Sequence, residues 1–122
     1  EPEPGLLIER PSEYLDFVMD FATPRVKMNL DLGHMFCVGE DPARVIGELA
    51  GEYAHVHIED IAASRVHQHL APGAGAMDFE AIFRALEKVG YAGWVTAELY
   101  PYESTAEAAA KKAYEFLRKF GF

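Results

Sequence analysis

The sequence predicts an α/β fold, a (β/α)8 TIM barrel of which this chain is about the carboxyl-terminal half. Amphipathic helical segments alternate with short strand-like segments, an order typical of parallel strands joined by right-handed crossovers. An acidic residue or a histidine stands at the carboxyl end of each predicted strand, and in a barrel those ends open onto one face. An open doubly wound sheet would show the same alternation, but no strand is followed by a glycine-rich phosphate loop.

The length of the chain decides how much of a barrel it can form. It has 122 residues, whereas a full barrel takes about 250. We therefore expect residues 1–122 to form a single half-barrel domain of four βα units, with the first strand cut away just before Glu1. Such a piece should expose two sheet edges and an apolar inner face. It is then either a fragment of a longer protein or one partner of a pair.

The first βα unit begins with a predicted helix. Ser12 is a typical N-cap, and the helix is expected to run to Phe21. Its inner face should consist of Tyr14, Phe17, Val18 and Phe21. A strand over 26–31 follows, since apolar residues alternate there with polar ones, and it is expected to break at Gly33-His34.

A second helix and a second strand occupy the middle of the chain. Asp41-Pro42 is a strong helix start, an N-cap followed by proline, and Gly51 should end this helix. Its inner stripe is formed by Val45, Ile46 and Leu49. Tyr53 to Glu59 then has the alternation of a short buried strand.

The last two units follow the same order. Asp78 should cap a helix that runs to Val89 and buries Ile82, Phe83, Leu86 and Val89. The segment from Gly93 to Leu99 is predicted to form a further strand. The segment over 104–107 has the composition of a capping box and should open the last helix. The inner stripe of that helix is predicted to be Ala110, Ala113, Tyr114, Leu117 and Phe120.

The composition narrows the classes of function. Half of the residues are hydrophobic and a quarter are charged, as in a soluble globular domain. No apolar run approaches the roughly 20 residues that span a bilayer, and no leader sequence opens the chain, so we expect no membrane contact. The net charge of −9 disfavours general nucleic-acid binding. The only cysteine, Cys37, fits a reducing compartment, and the cytoplasm is the expected location.

Four of the five histidines lie between Tyr53 and Gly75. The spacing of His55 and His57 directs both to one face of the predicted strand, and His57 lies nearer its carboxyl end. His67 and His69 follow in the next loop. Imidazoles that converge with carboxylates nearby make a site for a divalent metal ion.

Five short motifs together resemble the xylose-isomerase-like TIM-barrel superfamily. They are E-P-E-P at 1–4, N-L-D-L-G-H at 29–34, H-V-H-I-E-D at 55–60, H-Q-H-L-A-P-G-A-G-A-M-D-F at 67–79 and T-A-E-L at 96–99. Each motif alone is weak, but their order along the chain matches the second half of the family's barrel. That group contains sugar-phosphate isomerases and epimerases, ketose 3-epimerases and the type IV apurinic endonucleases.

The resemblance implies a ligand set and an acid/base pair. In ketose epimerases four residues bind one divalent metal ion, and the matching positions here are Glu1, Asp31, His57 and Glu98. The two glutamates also act there as acid and base on either side of the substrate, so Glu1 and Glu98 are the expected catalytic pair. Mn²⁺, Mg²⁺, Co²⁺ or Zn²⁺ would suit such a mixed oxygen and nitrogen set.

The resemblance implies roles for four further residues. His34 matches a histidine that contacts substrate in the epimerases and a second metal ion in the endonucleases. We expect His34 to assist catalysis. His67 and His69 match loop positions that hold a third metal ion in the endonucleases, although His67 replaces their aspartate. Arg65 is the nearest match to an arginine that touches substrate.

Several of these positions also have a purely structural interpretation. Asp31 could cap the turn that follows its strand, and Glu3 is a rival of Glu1. His55, one step deeper, is expected to be a hydrogen-bonded core residue. Glu59 and Asp60 could be ordinary loop charges or could orient a histidine. Gly73 and Gly75 are expected to serve backbone geometry rather than phosphate binding.

The expected function is that of a divalent-metal-dependent sugar or sugar-phosphate isomerase or epimerase. One alternative is a phosphodiesterase of the apurinic-endonuclease type, which the histidine-rich loop favours and the acidic charge opposes. Another is a catalytically inactive half-barrel that serves binding or assembly. The expected partners are a small sugar or sugar phosphate, and either a second copy of the chain or the missing amino-terminal half-barrel.

Overall fold

The computed structural model describes residues 1–21 and 23–121 of the chain. These residues contain a three-stranded parallel sheet in the order β1-β2-β3. The strands are β1 (Met28–Asp31), β2 (Tyr53–Ile58) and β3 (Val95–Ala97). Helices alternate with these strands along the chain, which confirms the predicted partial barrel of parallel strands.

Five α-helices accompany the sheet within the described residues. They are α1 (Pro11–Phe21), α2 (Leu32–Cys37), α3 (Pro42–Glu48), α4 (Phe79–Lys88) and α5 (Ala106–Leu117). Short 3₁₀ turns at Glu103–Thr105 and Arg118–Phe120 flank the last helix. None of the described helices is long and apolar enough to cross a membrane.

The register of the strands separates a covered face from an open one. Met28, Leu30, Val56 and Ile58 are buried with the inner stripes of α3 and α4 in one core. The other face carries polar side chains, because Asn29 pairs with His55, and Asp31 and Thr96 both pair with His57. The expectation of an apolar inner face is therefore wrong. Alternation along each strand places the apolar residues under the helices and leaves polar residues for the interior of the barrel.

Two of the predicted helix starts are confirmed by the side-chain hydrogen bonds at their ends. The Asp41 side chain accepts a hydrogen bond from the Ala43 N–H at 3.0 Å, and Asp78 accepts one from the Ala81 N–H at 3.0 Å. Each carboxylate satisfies an amide that has no partner within its own helix.

The strand ends at Asp31, as predicted, but the helix α2 that begins immediately after it was not predicted. Asp31 ends the strand and caps this helix, and its Oδ1 atom accepts a hydrogen bond from the His34 N–H at 2.7 Å. The Asp31 carboxylate at the N-cap stabilises α2, whereas Gly33 within this helix lowers its stability.

The predicted inward faces of the first and last helices are only partly correct. In α1 Tyr14 is buried, whereas Phe21 is 63% exposed. In α5 Ala109 and Ala113 are buried and Tyr114 is 60% exposed, so the buried stripe is displaced from the predicted one. The capping box is also wrong: Thr105 makes no side-chain capping bond, and a 3₁₀ turn leads into the helix instead.

Candidate active site

Four of the predicted site residues come together at the carboxyl edge of the sheet. Glu1, Asp31, His57 and Glu98 each offer one ligand atom, and these atoms lie within 4.8 Å of one another. The Nδ1 atom of His57 is 3.0 Å from Glu1 Oε1 and 3.2 Å from Glu98 Oε2. The same atom is 3.9 Å from Asp31 Oδ2. We call these four residues the carboxylate cluster.

The fold positions each member of the carboxylate cluster through its backbone. Asp31 is the last residue of β1 and faces His57 on β2 in the parallel register. Glu98 follows β3, and its N–H donates to the Ile58 carbonyl at 3.0 Å. Glu1 is held from the other side, since the Pro2 carbonyl lies 3.0 Å from the Nδ1 atom of the buried His34. Glu1, rather than its rival Glu3, joins the cluster.

The donor set of the carboxylate cluster fits a divalent cation. Three carboxylates and one imidazole converge, which leaves an excess of negative charge unless a cation binds. Asp31 uses Oδ1 to cap α2, while its buried Oδ2 has no hydrogen-bond partner within the described part of the chain. A buried carboxylate oxygen without a partner is costly, and a metal ion would satisfy it. Asp31 is therefore a helix cap and also a candidate ligand.

The Asn29 side chain contacts the His57 ring, and this role was not predicted from the sequence. Its Nδ2 atom lies 3.2 Å from Nδ1 and 3.3 Å from Nε2 of the His57 ring. Polar groups next to a ligating histidine fix the orientation of its ring. The available signal was spacing, because Asn29 lies two residues before Asp31 and thus on the same face of β1.

His34, His67 and His69 form a second group that could hold a metal ion. The Nε2 atoms of His67 and His69 are 3.0 Å apart, and the rings of His34 and His67 meet edge to face with centroids 4.6 Å apart. Partial burial of the ring, with His34 and His69 nearby, lowers the pKa of His67. This favours the neutral imidazole, which is the form that binds metals. We call these three residues the histidine cluster.

Glu59 lies between the two clusters. Its side chain is 0% exposed, and neither oxygen has a hydrogen-bond partner that the structure describes. Burial and the neighbouring carboxylate of Asp31 raise the pKa of Glu59 to about 11. Its Oε1 atom is 3.9 Å from His69 Nε2. The interpretation of Glu59 as an ordinary loop charge is wrong.

Gly33 makes room for the buried Glu59 side chain. A Cβ atom added at Gly33 would lie 1.8 Å from Glu59 Oε1, so a larger residue cannot occupy this position without moving the carboxylate. Asp31, His34 and Glu59 form a third, fully buried group of potential ligands. The close approach of Glu59, which follows β2, thus explains why a glycine stands at position 33 of the motif N-L-D-L-G-H.

Asp60 organises the loop that carries the histidines. Its Oδ2 accepts hydrogen bonds from the N–H groups of Gly73 at 3.0 Å and Gly75 at 2.7 Å. Its Oδ1 accepts from Ile61 at 2.9 Å and Met77 at 3.1 Å. Asp60 is therefore no ordinary loop charge either. A Cβ atom at Gly75 would lie 2.4 Å from Asp60 Oδ1, so the glycine serves the backbone geometry of this loop.

The remaining predicted residues belong to neither cluster, although the His55 ring meets the His57 ring edge to face with centroids 5.2 Å apart. The Arg65 guanidinium stacks over the Phe36 ring at 4.4 Å and donates to the Phe36 carbonyl at 2.8 Å. Arg65 lines a different cavity from the two clusters, together with Phe36 and Gly39. His55 lies on the open face of the sheet, with its Nε2 atom 2.9 Å from Thr96 Oγ1. It is hydrogen-bonded, as expected, but it is half-exposed rather than part of the core.

Both clusters open into one cavity of about 280 Å³. Within the described residues, its lining consists of Glu1, Glu3, His34, His67, Gln68, His69, Glu98, Tyr100 and Pro101. Acidic and imidazole side chains dominate this wall, and two rings from the segment after β3 form its rim. Such a cavity can take a small polar ligand between the two clusters.

The fold and this edge of acidic and histidine side chains define a class, the parallel βα barrels with a polar site at the carboxyl ends of their strands. The family model described as xylose isomerase-like TIM barrel matches residues 1–120. The chain belongs to this family.

Three similar proteins show how much of such a barrel the chain represents. Inosose dehydratase of Geobacillus thermodenitrificans is 30% identical over 127 residues, covering 88% of this chain and 43% of that protein. A structure of L-ribulose 3-epimerase matches with a TM-score of 0.77 at 27% identity, over 93% of this chain and 42% of that one. The structure of AP endonuclease, family 2, from Brucella melitensis matches with a TM-score of 0.74 at 31% sequence identity. This match covers 92% of this chain and 43% of that one. The chain spans less than half the length of these relatives.

Proposed function

We propose that this chain contributes the metal-binding half of a divalent-metal-dependent sugar isomerase or epimerase. The observation that carries the proposal is the convergence of Glu1, Asp31, His57 and Glu98 within 4.8 Å at the carboxyl edge of the sheet. The similarity to L-ribulose 3-epimerase supports it. Because relatives are more than twice as long, the complete site would include an amino-terminal half.

The four residues of the carboxylate cluster would hold Mn²⁺, Mg²⁺, Co²⁺ or Zn²⁺. When bound, such an ion supplies a Lewis acid for the carbonyl and hydroxyl oxygens of a hydroxy-carbonyl substrate. His34 borders the cavity and would contact the substrate's hydroxyl groups. Asn29 would keep the His57 ring in place.

Glu1 and Glu98 would move the protons. One carboxylate removes the proton next to the carbonyl, and the electron pair of the broken C–H bond forms a carbon–carbon double bond as negative charge passes to the carbonyl oxygen. The opposite glutamate starts the step protonated, and return of its proton to the other face of the same carbon inverts that centre. Return of a proton to the neighbouring carbon, with transfer of the hydroxyl proton to the former carbonyl oxygen, interconverts aldose and ketose. Inversion needs two carboxyl groups facing one cavity, as Glu1 and Glu98 do here, whereas one base can serve both carbons in an isomerisation.

Dehydration is a related outcome of the same first step. The similarity to inosose dehydratase favours it, since loss of a hydroxyl group next to the new double bond also begins with removal of that proton. The two outcomes are separated by their products. An epimerase retains all hydroxyl groups, and a dehydratase releases one molecule of water.

A phosphodiesterase of the apurinic-endonuclease type is the second candidate function. The histidine cluster favours it, because a further metal ion beside the carboxylate cluster would suit in-line displacement at phosphorus. The similarity to AP endonuclease, family 2, agrees with this. The net charge of −9 opposes it, since a DNA-binding surface is normally basic.

The chain is also a candidate for an assembly module that acts with a second half-barrel. Strands β1 and β3 are the edges of the described sheet, and Trp94 at the start of β3 is 81% exposed. Parallel strands from an amino-terminal half, or from a second copy, would pair with these edges.

Cys37 is unpaired, in agreement with a cytoplasmic location.

The test is proton exchange by the full-length, metal-loaded protein. Inosose and L-ribulose are incubated in D₂O, and loss of the proton next to the carbonyl is followed by NMR. Glu98→Gln should slow the exchange by about a hundredfold or more, because the amide cannot accept the proton. Glu103→Gln, in an exposed turn, is the matched control. Equal exchange rates in Glu98→Gln and wild type, or cleavage of abasic DNA without any exchange, would reject the proposal.

A further inference from the structure

We infer that Arg65 is a positioning residue, which links the histidine loop to α2 and so places His67 beside His34 for metal binding. By the histidine loop we mean residues 62–70. The inference goes beyond the proposed function, because it concerns the histidine cluster and holds for an isomerase, a dehydratase or a phosphodiesterase alike. It depends on the backbone of Arg65, on the contacts of its guanidinium group and on the other anchors of the loop.

Arg65 has a backbone conformation that arginine rarely adopts. Its φ angle is 59°, in the left-handed region, and the other described residues with a positive φ are glycines. A side chain crowds the backbone in this region, so the conformation persists only where surrounding contacts hold it. The Arg65 N–H closes a turn with the Ala62 carbonyl at 2.9 Å, and the side chain supplies the contact to α2.

The Arg65 side chain caps the end of α2, the helix that carries His34. Its Nη1 atom donates a hydrogen bond to the Phe36 carbonyl at 2.8 Å, and the guanidinium carbon lies 4.4 Å from the centre of the Phe36 ring. Carbonyls in the last turn of a helix lack partners within the helix, and a cationic donor is a favourable partner for them. Since Asp31 caps the start of α2, this short helix is fixed at both ends.

The two ends of the histidine loop are held by different contacts. Two backbone hydrogen bonds of 2.8 Å join Leu70 to Asp60 and anchor the buried His69 beside them. Residues 62–68 are exposed, and within the described part of the chain the Arg65 side chain makes their only hydrogen bond to a helix. The first part of the loop therefore depends on Arg65, whereas its end has an anchor of its own.

The link between Arg65 and Phe36 spans the contact between two histidines of the cluster. Phe36 lies two residues after His34, and Arg65 lies two residues before His67. The two imidazole rings meet edge to face with centroids 4.6 Å apart. Loss of the guanidinium group would release His67 from His34 but leave His69 in place. Every group in this arrangement belongs to the chain itself, so the arrangement does not depend on an amino-terminal half.

Replacement of Arg65 by asparagine tests the link in the full-length protein. Asparagine tolerates a left-handed backbone, but its side chain is too short to reach Phe36. NMR of the metal-free wild type should show a nuclear Overhauser effect between the ring protons of His34 and His67, and Arg65→Asn should lose it. Arg65→Lys keeps a charged donor and should retain part of it. The same ring contact in Arg65→Asn as in wild type, or its absence from wild type, overturns the inference.

Amide hydrogen exchange in the same variant shows whether the effect is local. Exchange over residues 66–68 should become at least about tenfold faster, whereas the Gly73 and Gly75 amides, which donate to Asp60, should keep their rates. Arg84→Gln, which changes an exposed arginine on α4, is the matched control and should leave all these rates unchanged. Equal acceleration at Gly73 and Gly75 would mean general loosening and would also overturn the inference.

Calorimetry with Zn²⁺ as the only added metal tests the consequence for metal binding. Arg65→Asn should weaken by about tenfold the site that His67→Ala also weakens, since groups that orient a ligand typically contribute this much to metal affinity. In the double variant the two losses should not add, because both changes act on one ligand. A zinc affinity of Arg65→Asn equal to that of wild type, or additive losses, would show that Arg65 does not act through His67.

Discussion

Replacement of Glu59 by glutamine should change how the stability of the metal-free protein depends on pH. The pKa of Glu59 is about 11 in the folded chain, against an ordinary value of 4.5, because the side chain is buried beside Asp31. The folded protein therefore holds a proton that the unfolded chain releases above pH 4.5. Stability from this group is complete below 4.5 and is lost as the pH rises toward 11.

The size of the effect follows from the same shift. Each pH unit within that window costs about 1.4 kcal/mol of unfolding free energy, so the loss between pH 5 and pH 8 reaches at most about 4 kcal/mol. Glutamine has a similar shape, carries no ionisable proton and can donate its amide hydrogen to Asp31. Glu59→Gln should therefore be more stable than wild type near pH 8, with a difference that shrinks toward pH 5.

Urea unfolding from pH 5 to pH 8, with a chelator present, measures this difference. Glu107→Gln, which changes an exposed carboxylate on α5, is the control and should follow the wild-type curve. A Glu59→Gln difference that stays constant with pH would show that Glu59 is ionised in the folded protein. The argument for a neutral buried carboxyl group would then be refuted.

Two further predictions concern the loop and the helix beside the clusters. Asp60→Ala removes the acceptor of four backbone N–H groups and should cost about 3 kcal/mol or more, with faster hydrogen exchange at the Gly73 and Gly75 amides. Unchanged amide protection would contradict it. Gly33→Ala should cost about 2–3 kcal/mol, because the added methyl group overlaps Glu59. Its control, Gly47→Ala, meets open space in α3 and should stabilise by about 0.5–1 kcal/mol, and thermal unfolding that ranks the two alike would reject the steric argument.

The regular features of the fold were predictable because their signals are local. Alternation of apolar residues identifies β1 and β2, and the capping aspartates Asp41 and Asp78 give the starts of α3 and α4. The helix α2 was missed since its glycine and its short length give no periodic signal, and Asp31 had to be recognised as both strand end and cap. The faces of α1 and α5 were misjudged because helical periodicity leaves the rotation of a helix against its neighbours undetermined.

The sequence predicted the candidate site only as far as the order of the motifs located the carboxyl ends of the strands. The carboxylate cluster contains the four residues expected from the sequence, and their roles as ligands remain predictions. Glu59 could not be placed, since a carboxylate after a strand has the same sequence signal whether it faces solvent or the core. Spacing placed Asn29 on the same face of β1 as Asp31 but not against His57, and the contact of Gly33 with Glu59 has no signal in the spacing of the sequence.

The two oxygens of Asp31 would have a kinetic consequence for uptake of the proposed metal ion. Because the His34 amide already fixes the Asp31 carboxylate, an arriving ion meets one ligand whose rotamer entropy was lost when the protein folded. The Glu1 side chain is 31% exposed, whereas that of Asp31 is fully buried. Capture of the proposed ion would thus begin at the fixed aspartate and finish at the more exposed glutamate. In that order, substitutions at Glu1 would mainly speed the release of the ion, and those at Asp31 would also slow its entry.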